Sequence, residues 1–303
     1  MKGRQFLRWV ATVVCLCAAV TVERASASAT SGMMRAVASR TAAAVLLARR
    51  ARGIHAHARH ADPGALLKTF AADINHAAGR SLGSSGEPSP AWCTVKQFGS
   101  GWGEHALCDH PPRAPCIFHS YGVSIDYSFD AQVANDWGCS GVAADPSVDH
   151  PSHIHPRVTF HNFAARTLDA EADAVWQHVV TMPGLRRVLG HRRLSVLKVD
   201  CEGCEYAIAE DVLREDPTFF RHIDQLAIEI HLARKWAVTK EHVDNLGRLY
   251  GLATAAGLQV VHAVVGGCNP NDEATGCNPA FLAAGFACGD REMCQNVLFA
   301  RGP

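Results

Sequence analysis

The sequence lacks a net charge, an internal repeat and an apolar run of the roughly 18 residues that indicate a membrane-spanning helix. Charged residues are only 19% of the chain, and they are distributed unevenly. Residues 1–90 contain 12 Lys and Arg against 4 Asp and Glu, whereas residues 91–303 contain 17 against 25. Because phosphate contacts supply most of the affinity for nucleic acids, an acidic C-terminal region argues against a nucleic-acid partner.

Acidic residues are absent from residues 24–60, which are rich in Arg, Ala and Ser. A basic N-terminus, an apolar run at residues 9–22 and small residues at 25–29 come at the start of the chain. Residues 1–29 are therefore predicted to be a signal peptide, or a membrane anchor that attaches through residues 9–22. We expect the secretory pathway, meaning the Golgi or endoplasmic reticulum lumen or secretion, and a plastid or mitochondrion is the alternative.

Sustained hydrophobic periodicity is absent from residues 30–90, which are rich in Ala, Arg and His and end in a Gly/Ser/Pro linker. We predict a largely disordered segment there with one short helix over residues 63–78. From residue 91 onwards, apolar runs alternate with helical segments, which predicts a parallel sheet with crossover helices. The predicted strands cover residues 116–121, 141–144, 158–163, 194–200, 223–231, 258–265 and 295–300.

Two helices of this region can be recognised from the spacing of apolar residues. Phe129 and Val133 lie on one helix face after Ser128, which is predicted to be the N-cap. Thr239 is predicted to cap a second helix that ends at Gly257. Strands and helices together predict one doubly wound α/β domain over residues 91–303.

Two cysteines lie in the N-terminal apolar run, and ten follow it. An even number, clustered towards both ends of the predicted domain, is typical of disulfides formed in an oxidising compartment. Buried free cysteines are the alternative, and the sequence does not reveal the pairing. The ten are Cys93, Cys108, Cys116, Cys139, Cys201, Cys204, Cys268, Cys277, Cys288 and Cys294.

A G-x-G-x-x-G phosphate cradle is absent, although polar residues follow several predicted strands. Ligands of open parallel sheets bind beyond the carboxyl ends of the strands, where Gly122 would let backbone approach a ligand. Asp145 lies 23 residues after Gly122 and is suited to accept ribose hydroxyls, and Asp126 adds a second carboxylate. A nucleoside with a positive charge and no phosphate fits these residues, and S-adenosylmethionine is such a ligand.

Four motifs occur in order along the chain: SYGVSIDYSFD, ADPS, FHNFAA and LKVDCEGCE. They resemble the FkbM-type family of S-adenosylmethionine-dependent methyltransferases, in its eukaryotic methyltransferase-like branch with a secretory N-terminus. The D-x-E-G-x-E hallmark of that family is matched by Asp200, Glu202, Gly203 and Glu205. His119 stands where the family more often has Tyr. The resemblance covers residues 91–303 and implies a Rossmann-like class I methyltransferase fold, with a mostly parallel seven-stranded sheet whose last strand is antiparallel.

The resemblance also implies methyl transfer, usually to oxygen, and the motifs supply the predicted site residues. The residues expected to contact the cofactor are Tyr121, Gly122, Asp126, Ser128, Asp145, Asn162 and Asp200, with Asn162 assigned by analogy to the family. The residues expected to act in catalysis are Asp200, Glu202, Glu229 and His231. Glu229 and His231 lie two positions apart in a strand, so they point the same way and could form a general base.

Glu202 is expected to orient or deprotonate the acceptor, a hydroxyl of a sugar, small metabolite or glycan. Glu205 has a structural alternative, because it opens a helix, where a carboxylate is stabilised by the helix dipole. No metal site is expected, since neither the cysteine pairs nor the histidines at 150–161 have convincing ligand spacing.

Two other functions remain open at this point. The domain could be a lumenal binding module that keeps the cofactor crevice without methylating anything. It could instead be a thiol-disulfide oxidoreductase that uses Cys201 and Cys204, although the surrounding acids disfavour a reactive thiolate. The sequence determines neither the methyl acceptor nor the oligomeric state.

Overall fold

The computed structural model describes residues 61–81, 90–237, 239–266, 276–288 and 293–302. The strands are β1 (Val95–Phe98), β2 (His105–Cys108), β3 (Ile117–Tyr121), β4 (Ser140–Ala144), β5 (His153–His155), β6 (Val158–His161), β7 (Ala164–Ala165), β8 (Val179–Val180), β9 (Leu194–Val199), β10 (Ile223–His231), β11 (Leu258–Gly266) and β12 (Cys294–Arg301). The helices are α1 (Pro63–Ser81), α2 (Ser128–Trp137), α3 (Ala170–Ala174), α4 (Met182–Val188), α5 (Ile208–Glu215), α6 (Lys240–Ala255) and α7 (Pro279–Ala284).

Eight of these strands form the central sheet, in the order β11-β12-β10-β9-β3-β4-β6-β5. The neighbouring pairs from β10 to β6 are parallel, whereas β12 is antiparallel to both β10 and β11. The prediction of a mostly parallel α/β sheet is confirmed, and every predicted strand lies in it. The number differs from the predicted seven, because β5 adds a short antiparallel strand beside β6. Its His-Ile-His sequence has too few apolar residues to be recognised as a strand.

Both faces of the sheet are covered. The six residues of β9 are all buried, Ser195 and Lys198 included, which explains why the other four are apolar. On one face, α1, α5 and α6 form a core that includes Phe70 and Leu246. On the other face, the β1–β2 hairpin and α2 form a second core that includes Phe98 and Phe129. The carboxyl ends of the parallel strands are therefore left as the open edge of the domain.

Helix α1 belongs to the folded domain, which corrects the boundary predicted at residue 91. The Phe70 ring is fully buried and stacks on Tyr250 of α6, with ring centroids 4.9 Å apart. The Tyr250 hydroxyl donates to Asp73 of α1 at 2.6 Å, and a Cβ at Gly247 would lie 2.3 Å from the Pro63 carbonyl oxygen. The predicted helix is confirmed, and it packs into the core, whereas the rest of residues 30–90 lies almost entirely outside the described residues.

The other N-terminal predictions, including the apolar run at residues 9–22, lie outside the described residues. No described helix combines the length and the apolar character needed to cross a membrane.

The two predicted helix starts have different outcomes. Thr239 caps α6 as predicted, since its hydroxyl accepts from the His242 amide. Ser128 is not the N-cap of α2, because Tyr127 occupies that position and makes no side-chain cap. The Ser128 hydroxyl instead accepts a hydrogen bond from the Ser100 amide at 2.9 Å, so it ties the helix to the loop after β1.

Four disulfides lie within the described residues, which confirms the expectation that these cysteines pair. They are Cys93–Cys108, Cys116–Cys139, Cys201–Cys204 and Cys277–Cys288, and Cys294 is also disulfide-bonded. The first of them closes the β1–β2 hairpin, and Gln225 of β10 fixes that hairpin by accepting from the Cys108 amide at 2.7 Å. Disulfides of this number are typical of proteins of oxidising compartments.

Candidate active site

The carboxyl ends of β3, β4 and β9 meet at Gly122. This residue has a φ of +77°, and a Cβ there would lie 1.5 Å from the carbonyl oxygen of Asp200. Its amide donates to the Ala144 carbonyl at 2.9 Å, and the Asp200 amide donates to the Tyr121 carbonyl at 3.0 Å. Glycine is required here because two strands approach each other, whereas the sequence suggested an approach of backbone to a ligand.

Asp126 lies in the loop that follows β3 and accepts two backbone hydrogen bonds. Its carboxylate accepts from the Gly103 amide at 3.2 Å and from the Ser128 amide at 2.9 Å. Partial burial opposes ionisation, but these hydrogen bonds outweigh it and hold the pKa of Asp126 below its ordinary value. Asp126 therefore connects the β1–β2 hairpin to the start of α2.

Asp145 follows β4 at the predicted place and is buried, with 6% of its surface exposed. One carboxylate oxygen accepts from the Ser124 amide at 2.8 Å, and the other accepts from the amide and the hydroxyl of Ser147 at 2.8 and 2.6 Å. A carboxylate offers about four acceptor positions, so three of them are occupied. Asp145 could accept one further hydroxyl directly, but two ribose hydroxyls would have to displace one of these bonds.

Of two other predicted cofactor contacts, Asn162 is exposed and Tyr121 is buried. Asn162 is exposed after β6, and its amide donates to the Val148 carbonyl at 2.8 Å. The Tyr121 side chain is only 1% exposed, and its hydroxyl lies 3.5 Å from Nδ1 of His119. Burial raises the pKa of the Tyr121 hydroxyl. Because that ring packs into the core, a cofactor contact of Tyr121 would run through its backbone, and the contact itself stays a prediction.

His231 gathers three carboxylates at the ends of β9 and β10. Its Nδ1 lies 3.1 Å from Oε1 of Glu205, and its Nε2 lies 3.6 Å from Oε2 of Glu229. The same Nε2 lies 4.0 Å from Oδ1 of Asp200, whose Oδ2 is 3.4 Å from Nε2 of His105. We call these five residues, His105, Asp200, Glu205, Glu229 and His231, the acid–histidine cluster. Glu229 and His231 share one side of β10, as their spacing predicted.

The pKa values of the cluster are shifted in opposite directions. Burial would lower the pKa of His231, but the Glu205 carboxylate outweighs it and raises that pKa to about 10. Burial and the neighbouring Asp200 raise the pKa of Glu229. Asp200 is also desolvated, yet Lys198 and His105 hold its pKa well below the ordinary range. At neutral pH His231 therefore carries a proton, so in this state it does not act as the predicted general base.

The site contains two residues that the sequence did not predict. Lys198 is 2% exposed within β9, and its ammonium lies 3.6 Å from Oδ2 of Asp200 and donates to the Gly122 carbonyl. A lysine inside an otherwise apolar strand was the signal that could have identified it. His105 lies on β2, which approaches Asp200 only through the folding of the hairpin, and no local pattern indicated this.

Glu202 and Glu205 differ although they lie three residues apart in one motif. Glu202 is exposed and has a φ of +50°, between the disulfide-bonded Cys201 and Cys204. Glu205 is fully buried and accepts from the amides of Gly203 and His231 at 2.8 and 3.1 Å. This placement fits the structural alternative for Glu205.

A cavity of about 260 Å³ lies between the β1–β2 hairpin and the strands β10, β12 and β11. Its polar lining consists of Gln97, Glu104, His105, His262 and Asn296. His105 connects it to Asp200, and the Asn296 amide donates to Oε1 of Glu229 at 3.1 Å. The cavity is therefore adjacent to the acid–histidine cluster.

Comparison with known proteins gives a partial match. No family model matches the chain. The rat protein named "Probable methyltransferase-like protein 24" is 30% identical over 124 residues, and the human protein of that name is 32% identical over 124 residues. Each match covers 39% of this chain and 33% of the relative, so it spans about a third of the length of these curated relatives. The similarity is limited to this stretch of both proteins.

Proposed function

We propose that this protein is an S-adenosylmethionine-dependent methyltransferase of the FkbM type. The observation that carries the proposal is the meeting of the β3, β4 and β9 ends, which brings Gly122, Asp145 and Asp200 to one edge of a mostly parallel sheet. Ligands of such sheets bind at this edge. The antiparallel β12 between β10 and β11, and the similarity to methyltransferase-like proteins, support the same assignment.

The electrostatics of the edge suit a cationic cofactor without phosphates. Asp126 and Asp200 both have pKa values held below the ordinary range, so both are ionised at neutral pH. Anionic groups favour a sulfonium and disfavour a phosphate. Asp145 retains room for one ribose hydroxyl, and its hydrogen bonds to Ser124 and Ser147 fix its orientation before a ligand arrives.

In the proposed reaction, the methyl carbon leaves the sulfonium sulfur and forms a bond to an acceptor oxygen. The electrons of the broken bond return to sulfur, and the hydroxyl proton passes to a carboxylate. The protein contributes mainly proximity and orientation, because the sulfonium is already a strong electrophile. Asp200 is placed to orient the acceptor hydroxyl, and the exposed Glu202 is the proposed proton acceptor.

The acceptor is proposed to be a small hydroxyl compound, such as a sugar, or the terminal unit of a glycan. The cavity beside the acid–histidine cluster has about 260 Å³, which is slightly less than the roughly 300–1,000 Å³ of most drug-sized ligand pockets. Its lining of Gln97, Glu104 and Asn296 offers hydrogen bonds to a polar molecule. Consistent with the disulfides, we propose a lumenal or secreted location.

Calorimetric titration of S-adenosylmethionine into the full-length protein tests this function. We expect micromolar binding in the wild type and at least a tenfold loss in Asp145→Ala. Asp136→Asn is a matched control, since Asp136 pairs with Lys96 on the exposed side of α2, away from the strand ends. No binding by well-folded protein would overturn the proposal. Binding that no acceptor turns over would favour the lumenal binding module instead.

The thiol oxidoreductase is a second candidate, favoured by the Cys201–Cys204 disulfide beside Asp200. A redox cysteine pair cycles between disulfide and dithiol during turnover. If the protein is the proposed methyltransferase, mild reduction followed by thiol counting should leave this bridge intact. A pair that opens and closes readily in native protein would favour the oxidoreductase.

A further inference from the structure

We propose that His105, Asp200, Glu229 and His231 hold a divalent metal ion of the zinc class. These four residues of the acid–histidine cluster form a chain of neighbouring ring nitrogens and carboxylate oxygens, from His105 of β2 through Asp200 and His231 to Glu229. Mixed imidazole and carboxylate donors suit zinc, whereas calcium and magnesium prefer oxygen donors alone. The ion would bind whether or not the protein transfers methyl groups, so the inference goes beyond the proposed function.

The distances between the donor atoms fit such an ion. Tetrahedral zinc with bonds of about 2.0–2.1 Å places neighbouring donor atoms about 3.4 Å apart. The separation between His105 Nε2 and Asp200 Oδ2 is 3.4 Å, and that between His231 Nε2 and Glu229 Oε2 is 3.6 Å. His231 Nε2 and Asp200 Oδ1 are 4.0 Å apart. His105 faces one oxygen of Asp200 and His231 faces the other, so Asp200 would bind the ion through both oxygens or would turn about its side chain.

The surrounding residues orient the proposed ligands. Glu205 is fully buried and lies 3.1 Å from Nδ1 of His231, which leaves Nε2 directed at Asp200 and Glu229. A carboxylate on the far nitrogen of a metal-binding histidine is a recurrent arrangement in zinc sites. Asn296 plays the same role for Glu229, because its amide donates to Oε1.

His105 provides an independent indication of a ligand. Its side chain is 3% exposed, and its Nε2 makes no hydrogen bond with the described residues, although it points towards Asp200. A buried polar nitrogen without a hydrogen bond is unusual and unfavourable. A metal ion bound between His105 and Asp200 would satisfy it.

The charges around the space also balance with a divalent ion. Three carboxylates, Asp200, Glu205 and Glu229, surround it, and Lys198 is the cation nearest to Asp200 among the described residues. Binding of the ion would displace the proton that His231 carries at neutral pH, and with both histidines then neutral the three carboxylate charges offset one ammonium and one divalent ion. Cys294 also lies near Glu229 and His231, but it is disulfide-bonded and so is not a thiolate ligand.

Calorimetric titration of zinc chloride into full-length, chelator-treated protein tests the proposal, with visible absorption of bound Co²⁺ as a second readout of coordination. We expect one equivalent to bind with micromolar or tighter affinity. Glu229→Gln and His105→Gln should each weaken binding at least tenfold, and circular dichroism checks that both variants fold. His119→Gln is the matched control, because His119 is equally buried but its Nε2 contacts His191, outside the cluster.

Two results would overturn the metal site. One is the absence of binding by folded wild-type protein. The other is stoichiometric binding that both cluster variants retain, which would assign the ion to surface histidines such as His153. Titration of S-adenosylmethionine into the same metal-free samples keeps this outcome separate from the proposed function.

Discussion

Polar side chains at two neighbouring parts of the strand-end edge find their hydrogen-bond and charge partners in different ways. At the ends of β3 and β4, the carboxylates of Asp126 and Asp145 are bound by backbone amides and by serine hydroxyls. At the ends of β9 and β10, the acid–histidine cluster pairs ionisable side chains mainly with one another. The hydrogen bonds of the first part fix the geometry of the loops. The second part consists of ionisable groups that can gain or lose protons, or bind an ion.

This difference separates positioning from chemistry along one edge. Amide-bound carboxylates keep one protonation state, so they suit recognition of a ligand whose charge is constant. A cluster of acids and histidines changes its proton content with small changes in its surroundings. In the proposed enzyme, the cofactor would bind at the first part and the acceptor would react at the second.

Removing the carboxylate charge of Glu205 should have the largest effect on stability. Glu205→Gln leaves His231 without its buried partner, and breaking one side of a buried ion pair costs about 3–5 kcal/mol. We expect that loss in the free energy of unfolding from denaturant titration at neutral pH. Glu202→Gln makes the same change at an exposed position of the same motif and should cost no more than about 0.5 kcal/mol. Equal losses in the two variants would contradict the proposed division between them.

Substitution of Gly122 tests the part of the edge that is held by backbone. Gly122→Ala combines a positive φ with a Cβ that would lie 1.5 Å from the Asp200 carbonyl oxygen. Gly138→Ala has a similar φ of +67° but no atom within 4 Å, so it measures the conformational cost alone, about 1–2 kcal/mol. We expect Gly122→Ala to cost about 1–3 kcal/mol more in urea unfolding. If the two variants are equally stable, the strands are not held together at Gly122.

The sequence predicted the sheet better than it predicted the site. Apolar runs such as Leu194–Val199 identify buried strands because both sheet faces are covered. The spacing of Glu229 and His231 correctly placed both side chains on one side of a strand, because the period of a strand is fixed. Strand burial and side-chain alternation are properties of the local sequence, so local patterns can predict them.

The features that the sequence did not reveal depend on contacts between distant segments. His105 reaches Asp200 only because the β1–β2 hairpin folds over the sheet, and α1 joins the core through contacts with α6. The hydrogen bonds that occupy Asp145 come from Ser124 and Ser147, which the motifs contain, but their direction depends on how the two loops fold. The protonation of His231 depends on Glu205, 26 residues earlier, whose burial the motif does not show.

The smallest expected effect, and the one that depends on pH, concerns two of the buried histidines, His119 and His231. The carboxylate of Glu205 raises the pKa of His231 to about 10, whereas burial, with His191 and Arg186 nearby, lowers the pKa of His119 from 6.5 to about 3. Below pH 6.5 the unfolded chain therefore binds a proton that native His119 does not. His119 should reduce the free energy of unfolding by up to about 1.4 kcal/mol per pH unit down to pH 3.

His119→Gln should remove this contribution while keeping a polar group near His191. The difference in the free energy of urea unfolding between the variant and the wild type is compared at pH 7 and pH 5. The contributions of the carboxylates that both proteins share cancel in this difference. We expect the variant to gain about 2 kcal/mol relative to the wild type on going from pH 7 to pH 5. His153→Gln, an exposed position on β5, controls for the substitution itself. If the difference in unfolding free energy between the variant and the wild type is the same at pH 7 and pH 5, native His119 binds the proton too. A histidine buried without a carboxylate partner would then behave no differently from His231.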